Sequence, residues 1–585
     1  MSLSLIVYLP TIDFKSLNHI NMKKHFTSIL FVLLIAITSS NACTNFMVTK
    51  GASVDGSTMI TYAADAHVLY GELYFSPASD YPEGSMMDIV EWDTKKILGQ
   101  IKQVKHTYSF VGNMNEHQVS IGETTYGGRS ELSKFHSGIV DYGSLMWLAL
   151  QRAKTAREAI KVIAGLFDEY GYYSSGESFS ISDKNEVWIM ELIGKGEGQK
   201  GALWVAMLVP DGYVCAHANQ ARITTFDFQE TNDWFNEKQT VFHAPDVVSF
   251  AKDKGWFEGK DKDFSFSDVY APVSFGGARF CEMRVWSFFK DVNGKMGKYA
   301  DYASGVIEHG KNEFAKNRMP LWIKPDNKVS AQDLMNYMRD HLEGTEWDMS
   351  KDMGAGPWEL PYRWRPLTWE VDGTEYCNER ATATQQTGFS FVSQSRNWLP
   401  DPIGGIHWFG VDDANTTVYT PIYCGITKVP SAYEVGNGDL LTYNKDAAFW
   451  VFNFVANWTY SRYSYMIKDV RLKQVAFEKK FADLTPVIDN AAKTLFEQNP
   501  ELAIEFITNY SCNTANNLVD DWRKLGEFLL TKYIDGNIKK ETDGEFLRTE
   551  TGYPAGPDQP GYPEWWLKKI TETSNGKFEV KGASH

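Results

Sequence analysis

The chain has 585 residues, 43% hydrophobic and 23% charged, a balance that suits a globular protein and excludes a disordered one. Its 58 Lys+Arg against 74 Asp+Glu give a net charge of −16, which argues against a nucleic-acid binder that works by neutralising phosphates. Six cysteines, none in C-x-x-C spacing, rule out a disulfide-built scaffold and a zinc ribbon, and a mean hydropathy of −0.35 rules out a polytopic membrane protein.

In chain order, the first feature is an address. Met22-Lys23-Lys24-His25 is a basic start, and Phe26 to Thr38 (FTSILFVLLIAIT) is an apolar stretch of signal-peptide length. Ser40 and Ala42 then occupy the −3 and −1 positions of a small-x-small cleavage site, so the cut falls before Cys43. Residues 1–21 carry Asp13 and read as an upstream extension, with Met22 a plausible true start. Cleavage leaves two fates for Cys43. Lipidation would tether the protein to a membrane, but the attachment box wants an aliphatic residue where Ser40 stands. A free terminus would place an amine and a thiol on one residue, a complete nucleophile-base unit.

Thr44–Thr49 and Thr58–Ala63 read as a strand pair around the Asp55-Gly56 turn. Pairing indices that sum to 108 would set Cys43 opposite Asp65. Strands follow near 107–111 and 118–122. Residues 144–170 have helical spacing, divided near Lys154-Thr155. Ser178–Ile181 and Val187–Leu192 flank a turn, and Leu203–Val209 with Tyr213–Asn219 reads as a hairpin around Pro210-Asp211-Gly212. Residues 225–375 mix short helices with Trp- and Gly-rich loops. Strands return at 389–393, 405–410 and 417–421, and 445–533 is mostly helical. Gly552 to Pro563 is irregular. The class is therefore α+β, with antiparallel pairing.

An N-terminal cysteine hydrolase needs a thiol, a base, a carboxylate to hold the amine, and donors for an oxyanion. Cys43 would supply the first two, since an α-amine titrates near 7.7–8.0. The hairpin argument nominates Asp65 as the carboxylate, and Asn219, at a strand end, as an amide donor. His217 tempts toward a Cys–His dyad, but an α-amine leaves no need for an imidazole base. The five cysteines at 215, 281, 377, 424 and 512 read mostly as buried small hydrophobes.

These residues carry a resemblance. Cys43-Thr44-Asn45-Phe46 followed by Gly51 to Thr58 resembles the mature start of the dipeptidase A family. That family belongs to the cysteine-type N-terminal-nucleophile (Ntn) hydrolases and is distantly similar to bile salt hydrolases, penicillin V acylases and secernins. Further matches are Asn115 to Val119, Gly122-Glu123-Thr124, Pro210 to Tyr213, His217 to Ile223, Arg284-Val285-Trp286, and Gln386 to Gly405. The resemblance covers about residues 43–530. It implies an αββα sandwich of two antiparallel sheets between helix layers, maturation to expose Cys43, and hydrolysis of dipeptides without a metal or other cofactor. It also implies Asp65 as the carboxylate that orients the amine, Asn219 as an oxyanion donor and Arg284 as an active-site support. A second oxyanion side chain falls near Glu123-Thr124. One departure stands out. Relatives often carry Arg-Asn before the acidic residue, and Tyr62-Ala63-Ala64 lacks that arginine, so charge support for the thiolate must come from elsewhere.

The expectation is thus an exported, periplasmic or extracellular cysteine dipeptidase. Residues 1–42 are removed, 43–440 form an Ntn-hydrolase domain, and 441–585 form a largely helical C-terminal elaboration. Small peptides are the expected partners, with no nucleic acid, membrane contact only through a lipid on Cys43, and self-association left open. Two alternatives remain open: an acyl-amino-acid or bile-salt amidase of the same superfamily, and a non-catalytic surface lipoprotein anchored at Cys43.

Overall fold

The turn after Val48 sets the first pairing of the fold. In the computed structural model, which describes residues 43–133, 137–228, 231–234 and 236–582, β1 (Asn45–Val48) and β2 (Thr58–Asp65) run antiparallel. The expected signal segment, 1–42, lies outside the described residues. Met47 stands opposite Ile60, and Thr44 bridges to Ala63. That register is one residue short of the expected one and carries Cys43 level with Ala64 instead of Asp65. The extra residue is absorbed where Thr49 leaves the strand. Its N–H and hydroxyl both donate to the Tyr213 carbonyl (3.3 and 2.8 Å), and Lys50–Ala52 close a tight turn. A one-residue slip reverses which side chains share a face, so Tyr62 and not Asp65 is the β2 side chain beside Cys43.

Eight further strands and six helices frame the site. β3 (Ser120–Tyr126) is followed by α1 (Tyr142–Arg152) and α2 (Ala156–Tyr170). The break between the helices falls where expected, because Thr155 caps α2 by accepting from the Glu158 N–H. Next come β4 (Gly176–Ser182), β5 (Val187–Gly194), β6 (Ala202–Leu208), β7 (Val214–His217) and α3 (Met283–Val292). The chain then forms β8 (Thr387–Ser395), β9 (Gly405–Val411), β10 (Thr420–Tyr423), α4 (Ala448–Ser461), α5 (Tyr463–Gln498) and α6 (Pro500–Tyr533).

The strands make two antiparallel sheets. One runs Trp322–Ile323, β7, β1, β2, β8, β9, β10; the other runs Val241–His243, β6, β5, β4, β3, then short strands at 114–115, 110–111 and 75–76. The expected 203–219 hairpin does not form. The Pro210 turn is present, with the Tyr213 N–H on the Pro210 carbonyl, but β6 and β7 lie in different sheets. Both edges of β6 are already paired, by β5 and by 241–243, so β7 finds its partner in β1.

The sheets face each other through β1 and β2 against β3 and β4, with α1 and α2 on the outer face of the second sheet. α3 and the C-terminal helices lie against the first. Strands covered on both faces are buried throughout, as the eight residues of β2 are. Gly122 permits the close approach, since a Cβ there would stand 2.9 Å from Asn45 Oδ1.

α5 meets its sheet with polar side chains. Gln474, Glu478, Thr485 and Asp489 are buried on it, Glu478 paired with Arg339 and Asp489 with Arg396 at 2.5 Å.

Candidate active site

Cys43 opens the described chain with only 4% of its surface exposed. Its Sγ is 3.5 Å from Glu123 Oε1 and 3.7 Å from the Tyr62 hydroxyl, which itself donates to the same Glu123 oxygen. Burial, then the nearby Glu123 and Asp65 carboxylates, push the thiol well above its ordinary range; the Asp65 N–H and the Tyr62 hydroxyl pull the other way.

Arg284 is the hub. It is buried on α3 and reaches back to the start of the chain, where Nη1 donates to the Cys43 carbonyl at 2.6 Å and to Thr44 Oγ1 at 2.8 Å. Its Nη2 donates to Asn219 Oδ1 at 2.9 Å. Burial, and then the charge of Arg380, lower its pKa to about 10, which leaves it cationic at neutral pH. Arg279, the other arginine of this stretch, pairs with Glu379 instead.

Asn219 follows β7 at φ +61°, in the left-handed region that Asn tolerates better than most residues. Its Nδ2 donates to the Thr125 carbonyl at 2.7 Å. The bend beyond it is pinned to the second sheet, because Glu191 on β5 accepts the N–H groups of Arg222 (2.6 Å) and Ile223 (2.9 Å). The Arg222 guanidinium pairs with the buried Glu282. Asp65 ends β2, fully buried, where Arg380 forms an ion pair with Oδ2 and the Thr387 hydroxyl donates to Oδ1 at 2.6 Å. Burial raises its carboxyl, against the lowering effects of Arg380, Thr387 and Arg284.

The four expected residues are therefore linked. Arg284 joins Cys43 to Asn219, and Cys43 and Asp65 line one cavity of about 200 Å³. Its walls include Tyr70, Tyr74, Trp92 and Tyr142, with Glu72, Asp93 and Lys95 among its charged groups. Trp92, Asp93 and Lys95 come from the turn between the strands Met86–Val90 and Ile97–Lys102. That turn is held down by the Trp92 N–H on Asp141 Oδ2 at 2.7 Å and by Tyr142 donating to Asp93 at 2.9 Å.

His217 stays out of this arrangement. Its ring is held by Thr124 Oγ1 at 2.7 Å and Ser180 Oγ at 2.8 Å, and burial followed by the charge of Arg222 lowers its pKa to about 3. Among the described residues no disulfide joins the cysteines, and no group of three or more His, Cys, Asp or Glu is placed to hold a metal ion.

Three contributors escaped the sequence reading. Arg380 sits in irregular chain with no motif of its own, and it pairs with Asp65. Thr387 is a strand-start threonine like many others. Glu123 stands in the sequence only as a neighbour of the second oxyanion side chain that the resemblance implies.

The profile of Peptidase family C69 matches residues 42–475, a span that contains Cys43, Asp65, Glu123, Asn219, Arg284, Arg380 and Thr387. A probable dipeptidase of Latilactobacillus sakei is 24% identical over 523 residues, covering 85% of this chain and 98% of its own. A probable dipeptidase of Salmonella dublin is 24% identical over 424 residues (69% of this chain, 86% of its own). Dipeptidase A of Lactobacillus helveticus is 21% identical over 431 residues (70% and 80%).

Proposed function

From the premise that the chain belongs to peptidase family C69, we propose that it is an exported cysteine dipeptidase whose nucleophile is Cys43, exposed as the N-terminal residue by removal of residues 1–42. The named dipeptidases among its relatives support the substrate class. We read residues 43–440 as an Ntn-hydrolase αββα domain and 441–585 as its helical elaboration; the two facing antiparallel sheets with helices on their outer sides support that fold.

The observation that carries the reading is the convergence on Cys43 of residues from separate parts of the chain. Arg284 holds its carbonyl and the Asn219 amide, while Asp65 shares its cavity. In the proposed reaction the α-amine of Cys43 takes the thiol proton and Sγ attacks the dipeptide carbonyl. Asn219 donates to the oxyanion. The amine returns the proton to the departing C-terminal amino acid, leaving a thioester. Water, deprotonated by the same amine, then releases the N-terminal residue and restores the thiol. A cavity of about 200 Å³, below the roughly 300–1,000 Å³ of clefts for drug-sized ligands, suits a substrate this short.

Intact-mass analysis of the secreted protein tests the premise of the mechanism. A chain that begins at unmodified Cys43 supports it. A lipidated Cys43 has no free amine and sinks it. A panel of dipeptides beside conjugated bile salts tests the substrate class, and hydrolysis of bile salts alone would move the enzyme to the amidases.

A further inference from the structure

The Glu123 carboxylate is an uncomfortable neighbour for a thiol nucleophile. It is 2% exposed, and besides Cys43 and Tyr62 its side chain meets another buried carboxyl, that of Glu177. Among the described residues no lysine, arginine or histidine pairs with it. Glu177 lies on β4, and its Oε1 accepts from Thr125 at 2.9 Å while its carboxyl hydrogen-bonds that of Glu123. Burial raises both carboxyls, and the charge of Glu123 raises Glu177 the further, so Glu177 is the member that holds a proton and donates it to Glu123. Glu72 and Asp93 add carboxylates to the same cavity. The lysine among its lining residues, Lys95, sets its ammonium 4.1 Å over the Trp92 ring. A buried carboxylate without a cation costs several kcal/mol, about as much as breaking a buried pair. A site that keeps one is built to receive the cation with its ligand.

The position of Glu123 says which cation. In a dipeptide the free α-ammonium is attached to the carbon next to the scissile carbonyl. When Sγ stands at attack distance from that carbonyl, about 3–3.5 Å, rotation about the adjacent Cα–C bond can bring the ammonium within hydrogen-bond reach of an oxygen that lies 3.5 Å from Sγ. We propose that Glu123 is the receptor for the free α-ammonium of the substrate's N-terminal residue and the specificity-determining residue of the cavity, an inference that rests on the peptidase reading above. The arrangement also couples recognition to reactivity. The negative charge of Glu123 opposes formation of the thiolate, and a bound ammonium cancels it. A substrate without the ammonium leaves the nucleophile suppressed.

Alanyl-alanine and propionyl-alanine differ by that one amino group, so they isolate the effect. The mature enzyme is expected to favour alanyl-alanine by about a hundredfold or more in kcat/KM. Glu123→Gln is expected to cut that preference to below about tenfold, by raising KM for alanyl-alanine and by raising kcat/KM for propionyl-alanine as the suppression of the thiolate is lifted. Asp93→Asn, at the edge of the cavity, is expected to lower the preference by a smaller factor and guards against a misfolded Glu123→Gln. Equal rates on both substrates in the wild type, or an equal loss of both in a folded Glu123→Gln, would overturn the proposal. Calorimetric titration of Cys43→Ala with the two compounds separates the two readings. Selective binding of alanyl-alanine by a protein whose wild type hydrolyses neither compound would keep the ammonium site and discard the dipeptidase. Turnover in the wild type without selective binding would do the reverse.

Discussion

Asp65 and Arg380, 315 residues apart in the chain, form a buried ion pair at the end of β2, and the Thr387 hydroxyl holds the other carboxylate oxygen at 2.6 Å. Burial alone would drive Asp65 toward its neutral form; Arg380 is the largest force against that. Arg380→Met strands the carboxylate, and the expected loss is about 3–5 kcal/mol of unfolding free energy. The double variant Asp65→Asn/Arg380→Met removes both charges and is expected to regain most of it. Urea denaturation at pH 7 measures both, and an Arg380→Met protein as stable as the wild type would show that the pair contributes nothing.

Cys43 is buried, and serine and alanine both fit its space. Cys43→Ser is expected to keep its stability within about 1.5 kcal/mol of the wild type. It should lose most of its turnover, because a hydroxyl at neutral pH is a far weaker nucleophile than a thiol. Cys43→Ala is expected to lose all of it. Steady-state rates on a dipeptide decide the matter, and a fully active Cys43→Ala would place the nucleophile elsewhere.

Much of this site was legible because its residues lie in local patterns: Cys43 after a cleavage signal, Asp65 at a strand end, Asn219 after a strand, Arg284 ahead of Val285-Trp286. What was not legible depends on pairing between distant segments. The β1–β2 register differs by one residue from the one the turn suggests because Thr49 leaves the strand for Tyr213, a contact across 164 positions. The 203–219 hairpin does not form because β6 already has two partners, which the sequence of the turn does not show. α5 was recognised as helix, yet the polar residues it buries, Glu478 and Asp489, look like solvent-facing charges until Arg339 and Arg396 arrive from other elements.

Asn219 combines a backbone requirement with a chemical one, and two substitutions separate them. Its φ of +61° suits glycine, whereas alanine pays about 1 kcal/mol there. Both remove the amide that joins Thr125 to Arg284. Asn219→Gly is expected to be the more stable of the two by about 1 kcal/mol, while kcat falls by a similar ~10²–10³ in each, the cost of an oxyanion donor. Paired denaturation and kinetic measurements check this, and a Gly variant with wild-type kcat would remove Asn219 from the chemistry.

Two buried histidines give the stability a pH dependence of predictable sign. His407 and His217 are both lowered to about 3, His407 by burial and His217 by burial and then Arg222, against about 6.5 in an unfolded chain. Below pH 6.5 the unfolded chain therefore takes up protons that the native protein refuses. The stability each ring confers is complete above pH 6.5 and drains away as the pH falls toward 3, by about 1.4 kcal/mol per pH unit. Buried carboxyls such as Glu191, raised to about 7 by burial against its backbone donors, act in the opposite sense, losing their contribution as the pH rises. A substitution is needed to isolate one group. His217 is a poor choice, since Thr124 and Ser180 would lose their partner. His407 is a clean one. Neither ring nitrogen has a hydrogen-bond partner, and the ring packs 4.4 Å from Phe391 and 5.6 Å from Phe409. His407→Leu is expected to leave stability at pH 7.5 unchanged or slightly higher, because it buries no unpaired polar atom. Between pH 6 and 4 it is expected to remove about 1.4 kcal/mol of destabilisation per pH unit. Urea denaturation across that range measures the slope. An unchanged slope in the variant would mean that His407 takes its proton in the folded state as readily as in the unfolded one.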